Sequence, residues 1–80
     1  MAREFKYEIK QSFGVVAEEK SYRTLELNLV SFNDAEAKYD LRRWMNKDGE
    51  KTMGKGVTMT GEQIRAVRDL LNSLPLEDLG

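Results

Sequence analysis

The sequence predicts an α+β fold: a four-stranded antiparallel β-meander followed by one C-terminal α-helix, in the order β-β-β-β-α, assembled as a homodimer. Three observations predict it. Apolar and polar residues alternate through the first half of the chain, the period of a strand with one buried face. Short polar or glycine-bearing connections separate the runs, as in a meander. Thr60-x-x-Gln63 then forms a capping box ahead of apolar residues at helical spacing.

The elements follow in order. The first strand is expected over about 4–18, with Phe5, Tyr7, Ile9, Phe13, Val15 and Ala17 on one parity and Lys6, Glu8, Lys10 and Ser12 on the other. Gly14 marks a bend or bulge within it. Glu18 to Tyr22 reads as a charged hairpin loop. The second strand, about 23–32, turns Leu25, Leu27 and Leu29 one way and Glu26, Asn28, Val30 and Phe32 the other. Asn33-Asp34-Ala35-Glu36 is a turn signal. The third strand, about 37–45, places Tyr39, Leu41 and Arg43 opposite Lys38, Asp40, Arg42 and Trp44. Asn46 to Gly56 reads as a polar loop, leaving a short strand at about 56–59. The helix, about 60–74, carries Ile64, Val67, Leu70, Leu71 and Leu74 and stops before Pro75.

With 80 residues the chain is expected to be a single domain, 1–80. A domain this small buries little of its surface and often relies on a staple or a second copy. It has no cysteine, so no disulfide, and no histidine, which with the missing cysteine removes the usual zinc donors. A homodimer is the remaining route, and the broad apolar arc of the helix offers a surface for it. The same absences remove Cys-His and Ser-His catalysis. Asp34 and Glu36 read as turn residues, and Asp40 is expected to pair with a neighbouring Arg or Lys. The expectation is therefore a binding protein, not an enzyme, with no cofactor, no metal and no small-molecule substrate. No apolar run reaches membrane-span length and the N-terminus lacks a signal-peptide h-region, so no membrane association and a cytoplasmic location are expected.

Net charge is −1, but it is segregated. Residues 38–55 hold six basic and three acidic residues, +3, whereas the other seven basic and eleven acidic residues leave −4. Parity sorts the sheet further. If the helix covers the leucines and Tyr39, then Phe32 and Trp44 lie on the opposite, solvent-facing side among Lys38, Arg42, Asn28, Lys6 and Lys10, with Tyr7 and Tyr39 in the core. Exposed aromatics among cations suit unpaired bases, whose faces stack on the rings while Lys and Arg neutralise phosphates. The bland alternative is that Phe32 and Trp44 are core or dimer contacts. Gly54-Lys55-Gly56 would let the backbone approach a phosphate, or simply turn the chain into the last strand.

The segments Leu25-Glu26-Leu27-Asn28-Leu29-Val30-Ser31-Phe32-Asn33, Lys38-Tyr39-Asp40-Leu41-Arg42-Arg43-Trp44 and Met53-Gly54-Lys55-Gly56-Val57-Thr58-Met59-Thr60, followed by the capped helix, resemble the transcriptional coactivator positive-cofactor-four family, and most closely its short bacterial YdbC-like branch. The resemblance covers residues 25–74. It implies a dimer formed through the helices and last strands, and binding of single-stranded DNA along the sheet with little sequence preference, in transcription, replication or repair. It places Phe32, Lys38, Arg42, Trp44 and Lys55 at the family's stacking and phosphate-contacting positions. Phe32 stands where that branch commonly has tryptophan, and Ala37 where it often has proline. The full candidate set is Phe32, Lys38, Arg42, Trp44, Lys47, Lys51, Lys55, Asn28 and Lys6. Two alternatives stay open: a protein-interaction module contacting the transcription machinery, and a binder of single-stranded RNA.

Overall fold

The computed structural model describes residues 6–78. One antiparallel sheet runs in the order β1 (Tyr7–Lys20), β2 (Arg23–Phe32), β3 (Lys38–Lys47), β4 (Glu50–Met59), each strand bonded to its sequence neighbour. Helix α1 (Gly61–Ser73) and a single 3-10 turn, Leu76–Asp78, follow. The β-β-β-β-α order is the predicted one. The expected start of the first strand at residues 4 and 5, and the position of Phe5, lie outside the described residues.

The largest departure is β4. It runs through Glu50–Met59, so the expected short strand at about 56–59 is only its end, and residues 50–55 occupy what reads in the sequence as a loop. The cause is the Asp48-Gly49 pair, with φ of 52° and 80°, flanked by the paired Lys47 and Glu50. A two-residue turn with both central residues at positive φ matches the strand twist and makes a tight hairpin. Met45, Asn46 and Lys47 therefore ladder directly onto Thr52, Lys51 and Glu50. Between Arg42 and Trp44 the register slips by one residue, so β4 carries a bulge at Gly54-Lys55. Here the glycines have a packing purpose. A Cβ on Gly54 would stand 2.8 Å from the Arg43 carbonyl oxygen, and one on Gly56 would stand 2.5 Å from the Arg42 Cβ.

Strand β1 departs from simple alternation too. Its pairing with β2 slips between Ile9 and Gln11, Ser12 and Gly14, Val15 and Ala17, and Glu18 and Lys20, one irregularity about every three residues. Each slip flips the parity, so residues that share a face in the sequence pattern are divided between faces. Tyr7 and Ile9 oppose Phe32 and Val30, whereas Ala17 opposes Leu25. Phe13 stacks on Tyr39 on the leucine side, with centroids 5.7 Å apart and planes 19° apart. Repeated bulges also increase twist, and the sheet coils until diagonally opposite corners meet: the Tyr7 hydroxyl of β1 reaches the Lys51 carbonyl of β4 at 3.5 Å.

That coil decides where the core sits. The fully buried side chains, Trp44, Val30, Asn28 and Asp40, all lie on the concave face, not on the leucine face. Leu25, Leu27, Leu29, Tyr39 and Leu41 are only half-buried. The helix has its predicted capping box, Thr60 Oγ1 accepting from the Gln63 N–H while Gln63 Oε1 accepts from the Thr60 N–H. It nevertheless buries none of its residues fully. Ile64 is half-buried, and Leu70, Leu71 and Leu74 are exposed. Among the described residues, no helix is long and apolar enough to cross a membrane.

Candidate nucleic-acid interface

The concave face is built from β2, β3 and β4, with the start of β1 folded over it. Its centre is a strand-local ion pair. Asp40 and Arg42, two residues apart on β3, share a face because strand side chains repeat every second residue. Asp40 is fully buried and Arg42 is 15% exposed at its side chain. Arg42 Nε donates to both Asp40 oxygens at 3.0 and 3.1 Å, and Nη2 donates to Oδ2 at 2.8 Å. Nη1 donates to the Gly54 carbonyl across the bulge at 3.0 Å. The guanidinium carbon also lies 5.6 Å from the centroid of the Phe32 ring. Of the five N–H groups on arginine, two remain for a ligand, one on each terminal nitrogen. Asp40 thus pairs with a basic neighbour, as the sequence suggests.

A second pair lies further along the same face. Lys51 Nζ is 2.8 Å from Glu26 Oε1, whose carboxylate also accepts from Thr24 Oγ1 at 2.6 Å and, at 3.5 Å, from Asn28 Nδ2. Burial is the strongest single influence on Glu26 and opposes its charge. The hydrogen bonds from Lys51, Thr24 and Asn28, together with the Lys51 charge, outweigh it and hold the carboxyl below its usual range.

Trp44 corrects the expectation of an open Phe32–Trp44 pair. It is fully buried, covered by the Lys51 ammonium 5.1 Å from its centroid and by the Tyr7 ring at 5.5 Å and 52°. The helix does not seal it; the coil of the sheet does. Asn28, expected on the open surface, is fully buried as well. Tyr7, expected in the core, is 38% exposed. Phe32 is half-buried and lines a groove of about 300 Å³ with Arg42, Met53 and Thr58.

The remaining candidates divide by charge compensation. Lys6 pairs with Asp34 at 3.1 Å, and its backbone is bonded to Asn33 at the β2–β3 turn. Lys38, Lys47 and Lys55 are exposed, and no described carboxylate stands within 4 Å of them. Arg43, on the leucine side, pairs with Glu19 of β1 through Nε at 2.7 Å. So the structure brings Phe32 and Arg42 together, keeps Lys38, Lys47 and Lys55 uncompensated, withdraws Trp44 and Asn28 into the coil, and leaves Lys51 exposed but paired with Glu26. Met53, Thr58 and Tyr7 are groove or surface residues that the sequence reading does not pick out. The Asp48-Gly49 hairpin signal extends β4 back across Met53, and the bulge at Gly54-Lys55 then brings Met53 onto the same face as Thr58. Among the described residues no group of three His, Cys, Asp or Glu could hold a metal ion.

Comparison with known proteins fits this architecture. The profile of the family described as Transcriptional Coactivator p15 (PC4) matches residues 20–70, from the end of β1 to near the end of α1. A Treponema pallidum (strain Nichols) protein described only as uncharacterized is 43% identical over 74 residues, 92% of this chain and 85% of that relative. The matched span contains the Phe32–Arg42 groove, the Asp40–Arg42 and Glu26–Lys51 pairs and the capped helix, and the chain belongs to the transcriptional coactivator p15 (PC4) family.

Proposed function

We propose that this protein binds single-stranded DNA on the concave face of its sheet, with little base preference, as an accessory to transcription, replication or repair. Its family is one of nucleic-acid-binding, non-enzymatic domains. The observation that carries the reading is the Phe32–Arg42 groove. It combines a half-buried aromatic ring with a guanidinium that has two unspent N–H groups, and the exposed, uncompensated Lys38 lies on the same face of β3 as Arg42. An unpaired base stacks on Phe32, and Arg42, Lys38, Lys55 and Lys47 meet the phosphates. Duplex DNA hides the base faces that such a surface needs.

Partial neutralisation shapes the energetics. Arg42 and Lys51 already face buried carboxylates, so replacing sodium ions on the DNA falls mainly to Lys38, Lys47 and Lys55. Three phosphate contacts give a slope of about −2 in log affinity against log salt. The active form is a homodimer joined through α1, whose Val67, Leu70, Leu71 and Leu74 stand exposed beside an apolar groove against Leu27. A monomer would leave this surface to water.

Anisotropy of a labelled oligothymidine, its duplex and the matching RNA tests the reading across a salt series. Binding of the single-stranded DNA alone, with the shallow slope above, supports it. Equal affinity for the duplex, or a signal indifferent to Phe32→Ala, contradicts it.

A further inference from the structure

We infer that Tyr7, rather than Trp44, is the aromatic that works beside Phe32 in stacking unpaired bases. The inference rests on the single-strand-binding reading and deepens it.

Three observations converge on Tyr7. The β1–β2 register sets Tyr7 directly opposite Phe32, and Ile9 opposite Val30, before the first slip at Lys10. Directly opposed residues of an antiparallel pair have Cβ atoms about 5 Å apart on one face. The two aromatics therefore rise side by side from the concave surface, where neighbouring nucleotides of one strand reach both. Second, Tyr7 is 38% exposed while Trp44 is fully buried. Part of Tyr7 is therefore reachable from solvent, whereas Trp44 is not. Third, Tyr7 is packed against the sheet. Its ring lies against Trp44 at 5.5 Å, and its hydroxyl makes a long, 3.5 Å contact toward the Lys51 carbonyl across the face. A stacking side chain fixed before the ligand arrives gives up less conformational entropy on binding.

The arrangement assigns Trp44 a supporting place: it is the floor beneath Tyr7, and Lys51 covers the rest of its ring. Trp44 packs against Tyr7 at a tilt of 52°, and a base would meet Tyr7 from the solvent side. The ligand class is a flexible strand of unpaired nucleotides, because a paired base offers only its edge.

Photocrosslinking separates this assignment from a structural role. Oligothymidines carrying one 5-iododeoxyuridine at successive positions are bound to the full chain and irradiated, and the crosslinked peptides are mapped. Crosslinks at Tyr7 and Phe32 are the expected result. Crosslinks at Trp44 and Phe32 with none at Tyr7 overturn the inference and leave single-strand binding standing. An oligonucleotide that is not retained, or that crosslinks only to the helix, overturns both. In parallel, Tyr7→Phe should keep affinity within about twofold, and Tyr7→Ala should weaken it roughly 5- to 150-fold. A folded Tyr7→Ala variant with unchanged affinity overturns the inference. If Tyr7→Ala does not fold, the Tyr7→Phe protein still decides it: a crosslink at the substituted ring supports the inference, and its absence counts against it.

Discussion

Lys51 lies across the Trp44 ring, its ammonium 5.1 Å from the ring centroid while Glu26 holds it at 2.8 Å. A cation over an indole is attracted by the ring quadrupole, and the carboxylate fixes it there. Lys51→Ala removes the cover and leaves Glu26 with its charge uncompensated. The expected outcome is a loss of about 2 kcal/mol in stability, a red shift of Trp44 emission and easier quenching by acrylamide. Emission and quenching identical to the parent protein would contradict this placement of the lysine.

The Asp40–Arg42 pair predicts an asymmetry between stability and binding. Arg42→Ala strands a fully buried carboxylate and should cost about 3–5 kcal/mol in denaturant unfolding. Arg42→Lys should recover little of it, because an ammonium cannot reproduce the two-pronged contact or reach the Gly54 carbonyl in the same geometry. Lys55→Ala, at an exposed position, should change stability by no more than about 0.5 kcal/mol and reduce the salt slope by about 0.7.

Close packing at the β4 bulge makes Gly56 sensitive. Gly56→Ala drives a methyl group into the Arg42 side chain, and the resulting shift should cost about 1–3 kcal/mol. In a domain of this size each kcal/mol lowers Tm by roughly 4–8 °C. Gly49→Ala tests a different cost. There is open space around Gly49, but its φ of 80° disfavours a side chain, so about 1 kcal/mol is expected from backbone strain alone. A thermal melt of both variants checks the order.

Acid should loosen the concave face. The Glu26 carboxyl titrates below its usual range in the folded protein, so the folded chain binds fewer protons there than the unfolded chain. Its contribution is complete above the unfolded value of about 4.3. It is lost as pH falls through the lower folded value. Urea midpoints measured from pH 6 downward should fall more steeply for the parent protein than for Glu26→Gln, and Trp44 emission should shift red in step. Parallel curves for the two proteins would count against this role for Glu26.

Element order and the helix are legible in the sequence because their signals are local. The Thr60–Gln63 box and the leucine spacing of the helix need no tertiary context. The Asp40–Arg42 pairing follows from the two-residue repeat of a strand. What sequence parity misplaces is depth. Alternation tells which side chains share a face, but not how strongly the sheet coils, and here the coil makes the polar-looking face the buried one. Trp44 and Asn28 go inward for that reason, although their parity with Phe32 and Arg42 is correct. In β1 the pattern itself misleads: slips at Lys10, Phe13, Val16 and Glu19 divide Tyr7 from Phe13, which share a parity but face opposite sides. Composition hides β4, since Gly49, Gly54 and Gly56 read as loop residues while serving a tight turn and a bulge.

The most direct measurement of single-strand binding on the concave face is an amide chemical-shift map recorded while unlabelled oligothymidine is added to the isotope-labelled protein. Saturating shifts are predicted at Tyr7, Phe32, Lys38, Arg42 and Lys55, with the amides of Val67 to Leu74 unmoved. Shifts concentrated on the helix, or none on the concave face, would contradict it.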